Sequence, residues 1–207
     1  NGIVGLKQTF GRVSKYGVYP LAWSLDHVGP MTKTVKDAAG LLQIIAGFDP
    51  NDPTTVDVPV DDYLGKITGD VKGLVIGVEE DYYFREVDSE IEKLVRAGIQ
   101  KLVDLGAEVR EVKIPTLKYA EWAELVTSLS EASAIHHSDM LTRPDDFGND
   151  IRMLFELGEI PSAVDYLQAQ QVRRQLKHDF KKAFEQVDIL AMPTLPILPN
   201  DIGDDVA

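Results

Sequence analysis

The stretch after Thr34 repeats apolar residues with the period of an α-helix. Thr34 is a suitable N-cap, because its hydroxyl can accept a hydrogen bond from an amide of the first turn, and Asp37 follows three residues later, close to a capping box. Gly47 is a suitable helix stop. The residues predicted to share one face are Val35, Ala38, Ala39, Leu42, Ile45 and Ala46.

Residues 71–113 combine the patterns of two strands and one helix. The run "GLVIGV" (73–78) is short and apolar, "AEVREVKIP" (107–115) alternates, and between them Asp88 can cap a helix that ends at Gly106. Strand, helix and strand at this length predict a βαβ unit with parallel pairing and a right-handed crossover. The helix is predicted to carry one apolar face of Ile91, Leu94, Val95, Gly98, Leu102 and Leu105.

The rest of the chain is predicted to be mainly helical. Residues 117–158 form helices broken near "TRPDDFG" (142–148), and another helix begins at Ser162, with Asp165 three residues on. "DILAMPTLPILP" (188–199) predicts a strand that runs into a proline-rich loop. The fold class is therefore α/β. The last helix and the residues just after it are predicted to pack through Ala169, Val172, Leu176, Phe180, Ala183, Phe184 and Val187.

Composition narrows the possible partners and compartments. The chain of 207 residues has 34 acidic and 21 basic residues and a net charge of −13, which disfavours direct binding to nucleic-acid phosphates. It has no cysteine, so disulfides, thiolate metal sites and a cysteine nucleophile are excluded. No apolar run reaches the length of a membrane span. We therefore predict a cytoplasmic protein with no membrane partner and no direct nucleic-acid partner.

The stretch "WSLDHVGPM" (23–31) places Ser24, Asp26 and His27 within four positions. These are the residue types of a hydrolytic triad, in which the base must reach the nucleophile and a third group must orient the base. Neighbours in one loop can hardly satisfy both hydrogen bonds. We instead predict that Ser24 and Asp26 bond nearby backbone amides and fix the loop.

Metal and cofactor signals are weak. Asp49, Asn51 and Asp52 lie in one turn, but the glycine and distal glutamate of a calcium loop are missing. His136 and His137 are adjacent on a predicted helix and point about 100° apart, so we expect them to be partly buried polar residues rather than a metal pair. Neither a phosphate loop nor a dinucleotide fingerprint occurs. We predict no metal and no cofactor.

The first fifty residues closely resemble the amidase signature family. The family pattern G-x-x-G-x-K-P-T-x-G-R-V-S, S-L-D-x-x-G-P, T-V-x-D-A-A and I-A-G-x-D-P-x-D is matched nearly throughout, with Gln8 where proline is usual. Later matches are "SEAS" (130–133), "DFG" (146–148) and "VDILAMPTLPILP" (187–199). The resemblance implies a mixed β-sheet flanked by helices, incomplete in this chain, with residues 1–207 forming part of a single domain.

Enzymes of this family cleave an amide carbon–nitrogen bond with a Ser–cis-Ser–Lys triad and an acyl-enzyme. The family's nucleophile lies in a G-G-S-x-R-x-P-A segment upstream of the position of Asn1, so the resemblance implies that this chain holds no catalytic residue. Lys7 and Ser14 belong to the motif after the nucleophile. The chain is then expected to be an inactive internal fragment, with Arg12, Ser24 and Asp26 in a structural loop near the active site.

Two branches of the family compete. One contains stand-alone amidases, and the other is the glutamine-hydrolysing A subunit of the tRNA-dependent amidotransferase, which feeds ammonia to a partner protein. The second branch tends to carry an Arg after "FG", which can pair with the glutamine carboxylate, and a Tyr seven residues before the Glu of "SEAS". Leu154 and Glu124 occupy these substrate-binding positions here. Both departures favour a stand-alone amidase acting on a small-molecule amide.

A non-catalytic interpretation stays open. On this interpretation the chain serves only as a structural or oligomerisation module, with the helices of 117–187 as its contact surface. Such a fragment would expose apolar area and self-associate, as a homo-oligomer for example. The upstream reading frame discriminates between these alternatives, because codons for G-G-S-x-R-x-P-A before Asn1 support the amidase and a native start there contradicts it.

Overall fold

The computed structural model describes residues 2–199, which form two compact units. The first unit contains the described part of Asn1–Gly69 together with Glu131–Thr142, and the second contains Asp70–Ser130 together with the described part of Arg143–Ala207. Helix α4, Ala120–Thr142, has residues in both units. The assignment of 1–207 to a single domain stays a prediction.

Besides the C-terminal part of α4, the described part of the first unit contains two short strands and one other helix. Strands β1 (Val4–Gly5) and β2 (Met31–Thr32) pair antiparallel, and helix α1 (Val35–Ile45) follows. The Thr34 side chain accepts a hydrogen bond from the amide of Asp37, which confirms the predicted cap. Ala38, Ala39 and Leu42 are buried as predicted, whereas Val35 is exposed because it lies in the first turn beside the cap.

Gly29 lies where two backbone segments approach closely. The amide of Leu6 donates to the carbonyl of Pro30 at 2.9 Å, and a Cβ added to Gly29 would overlap the carbonyl oxygen of Leu6. We expect Gly29→Ala to lower the free energy of unfolding by about 2 kcal/mol, since the backbone must shift. Gly5→Ala is the control, because nothing lies within 4 Å of a Cβ there. Urea unfolding measures both, and equal effects would contradict the steric explanation.

The second unit contains a parallel sheet with the strand order β4–β3–β5. Its strands are β3 (Val75–Val78), β4 (Glu108–Glu111) and β5 (Ile189–Leu190). Helix α3 (Ser89–Asp104), capped by Asp88, connects β3 to β4, so the predicted βαβ unit is confirmed. A short helix α2 (Glu80–Tyr83) follows β3 and was not predicted.

Three residues of the predicted α3 face are exposed, namely Leu94, Gly98 and Leu105. Leu94 has 64% of its surface exposed and Leu105 has 55%. Leu94 neighbours the half-buried Val95, and adjacent helical residues point about 100° apart, so the core covers only one of them. Leu105 is the C-cap, one residue beyond the last helical turn. The packing prediction was therefore wrong at these three positions.

The remaining helices of the chain agree with the predicted positions. After α4, a 3-10 turn at Pro144–Asp146 precedes α5 (Asn149–Gly158), and α6 spans Ala163–Ala183. Ser162 is the N-cap of α6, as the predicted helix start required, and it forms a capping box with Asp165. A core cluster of the second unit consists of Val112, Ile114, Leu117, Ala183 and Val187.

Phe184 is the exception on the predicted α6 stripe, with 49% of its surface exposed. It is the C-cap, and it points about 100° away from the buried Ala183. Ala169 and Ala183 are buried as predicted. The α/β class is confirmed. Over residues 2–199, no helix has both the length and the apolar character required to cross a membrane.

Candidate functional site

Asp26 stabilises the loop around residues 19–27 through hydrogen bonds to the backbone. Its carboxylate accepts hydrogen bonds from the amides of Leu21 at 3.0 Å and Ala22 at 2.9 Å, and its own amide donates to the carbonyl of Ala22 at 2.8 Å. These bonds close the turn that presents Ser24. The backbone contacts expected of Asp26 are present, whereas the location of this loop near an active site stays a prediction.

Ser24 is held by a buried carboxylate on helix α4. Glu131 is 1% exposed, and its two oxygens accept from the Ser24 amide at 2.9 Å and from Ser24 Oγ at 2.6 Å. A buried carboxylate requires such donors, because losing water is costly for a charge. The motif match "SEAS" included Glu131, but sequence reasoning gave it no role. Its only signal was an acidic residue flanked by small residues in a helix.

His27 does not act on Ser24. Its Nδ1 lies 2.5 Å from the carbonyl oxygen of Leu25, so Nδ1 carries the proton and donates it there. Its Nε2 lies 3.3 Å from Lys7 Nζ and can accept from that ammonium group. Because Ser24 Oγ donates to Glu131 instead, the three residues of "SLDH" do not form a hydrogen-bonded relay.

His136 is a second anchor of the same loop. It is 3% exposed, and its ring stacks on Tyr19 with centroids 5.0 Å apart. Nε2 lies 2.8 Å from the carbonyl oxygen of Pro20 and donates to it, so Nδ1 can accept from the Tyr19 hydroxyl at 3.3 Å. His137 is exposed. The two histidines therefore have different environments, and His136 acts as a structural group in the first unit.

Arg12 binds a different part of the first unit. Its guanidinium donates to the Tyr63 hydroxyl at 3.0 Å and to the carbonyl oxygens of Val58 at 3.2 Å and Pro59 at 2.5 Å. These hydrogen bonds hold the segment around residues 58–63 in place against Arg12. Arg12 therefore stabilises loop structure, but through other partners than Asp26.

The turn at 47–55 uses its carboxylates internally. Ser14 Oγ donates to Asp49 at 2.6 Å, and this hydrogen bond lowers the pKa of Asp49. The Lys15 amide donates to Asp52 at 2.7 Å and lowers the pKa of Asp52. Asn51 donates to Asp49 as well. Across residues 2–199, no group of three or more His, Asp or Glu side chains is arranged to hold a metal ion.

The predicted substrate-binding residues lie in the second unit. Glu124 is exposed on α4, and Leu154, on α5, is 39% exposed. Arg152, two residues before Leu154, donates to Asp145 at 3.0 Å and to Asn149 at 2.8 Å. Its guanidinium is thus engaged at the start of α5. The substrate-binding roles of Glu124 and Leu154 stay predictions.

These observations define an α/β protein with a parallel three-stranded sheet and with a loop around residues 19–27 that is held by hydrogen bonds from polar side chains. The sequence model of the family described as Amidase matches residues 1–206. The chain belongs to the amidase family, so the resemblance stated from its motifs is confirmed.

Relatives and solved structures agree with this assignment. The chain is 45% identical over 204 residues to an amidase of Pseudomonas putida, covering 98% of the chain and 44% of that relative. It is 41% identical over 225 residues to the A subunit of the glutamyl-tRNA(Gln) amidotransferase of Roseiflexus sp. (strain RS-1), covering 98% and 46%. A solved structure, described as a vestigial complex revealing the origins of an s-triazine catabolic enzyme, matches with a TM-score of 0.89 at 30% identity, covering 98% and 43%. The chain spans less than half the length of these relatives.

Proposed function

We propose that the protein containing this chain hydrolyses the carbon–nitrogen bond of an amide. The match to the amidase family over residues 1–206 carries this proposal. In the mechanism implied by the family, a serine adds to the carbonyl, the amine leaves with a proton, and water hydrolyses the acyl-enzyme to a carboxylate. Residues of this chain are assigned no chemical step. Arg12, Ser24 and Asp26 are proposed to stabilise loops near that site.

The stand-alone branch is the better supported of the two. A free glutamine carboxylate would call for a bidentate arginine, and Leu154 stands at the matching position. Arg152 does not substitute for it, because its guanidinium already binds Asp145 and Asn149. Glu124, where the other branch tends to have tyrosine, would add repulsion to a carboxylate substrate. We propose a small amide without a free carboxylate as the substrate.

A glutamine-hydrolysing A subunit of an amidotransferase is the second candidate. The 41% identity to the corresponding Roseiflexus protein favours it. On this alternative, glutamine would be the ammonia source and a partner protein would receive the ammonia. A cytoplasmic location is proposed for either candidate, and homo-oligomerisation stays a prediction.

An ammonia-release assay on the intact protein distinguishes the branches. With glutamine, aliphatic amides and aryl amides as substrates, we expect kcat/KM for the best simple amide to exceed that for glutamine by at least about tenfold, the effect of one lost charge-assisted hydrogen bond. Stronger turnover of glutamine would contradict the stand-alone assignment. If the intact protein hydrolysed none of these amides, the proposal that it is an amide hydrolase would be wrong.

Leu154→Arg tests, in the same ammonia-release assay, whether residue 154 contacts the substrate. The exposed site can accept the longer side chain with little cost to folding, and the new guanidinium should raise kcat/KM for glutamine by about tenfold. Leu157→Arg is the matched control, because Leu157 lies one turn on in α5 and is 42% exposed. Equal gains in both variants would show a general charge effect rather than a substrate contact.

A further inference from the structure

A cavity of about 470 Å³ in the second unit lies beside the carboxyl ends of two neighbouring parallel strands. One wall is the segment 82–86, which follows β3, and another is the turn 193–197, which follows β5. Strands β3 and β5 are paired in parallel, so both segments leave from the same edge of the sheet. In open α/β sheets, ligands bind preferentially outside the carboxyl ends of the strands.

Aromatic rings and prolines form the apolar part of the cavity. Tyr82 and Tyr83 pack edge to face, with ring centroids 5.3 Å apart. Burial raises the pKa of Tyr83. The opposite turn is fixed by the amide of Asp88, which donates to the carbonyl of Pro196 at 2.8 Å. The cavity is therefore held in shape by contacts within the unit.

Three charged side chains line the same cavity. They are Arg85, Glu86 and Glu121, and within residues 2–199 none of them forms a side-chain ion pair. Glu86 has a φ of +56°, a left-handed conformation disfavoured for residues with a Cβ, and it is the one non-glycine described with positive φ. The lining thus carries a net charge of −1 and includes two tyrosine rings.

We propose that this cavity binds an organic ammonium ion that carries an apolar or aryl body. Aromatic rings attract a cation through their quadrupoles, and the carboxylates of Glu86 and Glu121 would supply its counter-charge. The prolines and Ile197 provide contact surface for the apolar body. The excess of negative charge in the whole chain acts in the same direction. This site goes beyond the proposed hydrolysis, and its test involves no turnover.

Isothermal titration calorimetry with the intact protein tests the proposal using three ligands of one shape. These are 2-phenylethylammonium, neutral 2-phenylethanol and the zwitterion phenylalanine. We expect the ammonium ion to bind at least about tenfold more tightly than the alcohol, because only the cation gains the carboxylates and ring faces. Phenylalanine should bind more weakly than the ammonium ion, because its carboxylate faces Glu86 and Glu121. Equal affinity for all three, preference for phenylalanine, or no binding of the ammonium ion would overturn the proposal.

Charge-neutralising variants locate the binding. Glu86→Gln and Glu121→Gln should each weaken the ammonium ion about three- to tenfold and leave the alcohol unchanged, since both side chains are exposed and the amide keeps their shape. Glu156→Gln, exposed on α5 and outside the cavity lining, is the control. If Glu156→Gln weakens binding as much as the other two, net charge rather than this cavity attracts the cation and the assignment is wrong.

Discussion

The 207-residue chain purified on its own is expected to release no ammonia from any amide above background. Its sequence contains no G-G-S-x-R-x-P-A segment, the segment that the resemblance implies as the carrier of the nucleophile. The residues most easily mistaken for a base and a nucleophile are engaged elsewhere. Lys7 Nζ donates to the carbonyl of Gln8, and Ser14 Oγ donates to Asp49. Loss of a catalytic serine typically lowers kcat by about 10⁶-fold, so turnover should vanish.

The measurement compares three polypeptides at equal concentration with the best amide of the series. They are this chain, the intact protein, and the intact protein with the serine of the expected G-G-S-x-R-x-P-A segment changed to alanine. Circular dichroism and a melting curve establish whether the chain folds alone. If the chain does not fold alone, the serine variant becomes the decisive comparison, because it retains the whole fold. Turnover by that variant, or by the chain after removal of host amidases, would show that the triad assignment is wrong.

Local features of the fold were predictable because their causes are local. The caps Thr34, Asp88 and Ser162 were read correctly, since a cap depends on residues within one helical turn. The same holds for the βαβ unit, whose apolar strand and helix patterns are continuous in sequence. Exposure at Leu94 and Phe184 was not predictable, because it depends on which neighbouring element covers the helix.

In the candidate site, too, the local contacts were predictable from the sequence and the long-range contacts were not. Asp26 contacts amides four and five residues away, so its role followed from loop chemistry. Ser24 and Glu131 are separated by 107 positions, and His136 and Pro20 by 116. No spacing rule connects residues that far apart, and a glutamate in a helix is usually solvated. The anchoring of the loop by α4 therefore needed the structure.

Glu131→Ala is expected to lower the free energy of unfolding by about 3 kcal/mol. The substitution removes two charge-assisted hydrogen bonds to Ser24, each worth about 1.5–3 kcal/mol, and leaves space at a site where the glutamate is 1% exposed. Relaxation of the loop recovers part of this loss. Thermal and urea unfolding of the intact protein measure the effect, and the melting temperature should fall by several degrees.

Glu124→Ala is the matched control, because Glu124 lies two turns earlier in α4 and is exposed; its effect should stay within about 0.5 kcal/mol. A double-mutant cycle with Ser24→Ala isolates the contact itself. Since Ser24→Ala removes the bond from Oγ but keeps the bond from the amide, the two substitutions should be less than additive by about 1 kcal/mol. Additive losses would mean that Glu131 stabilises the protein through other partners, and an unchanged stability of Glu131→Ala would remove its role as the anchor of this loop.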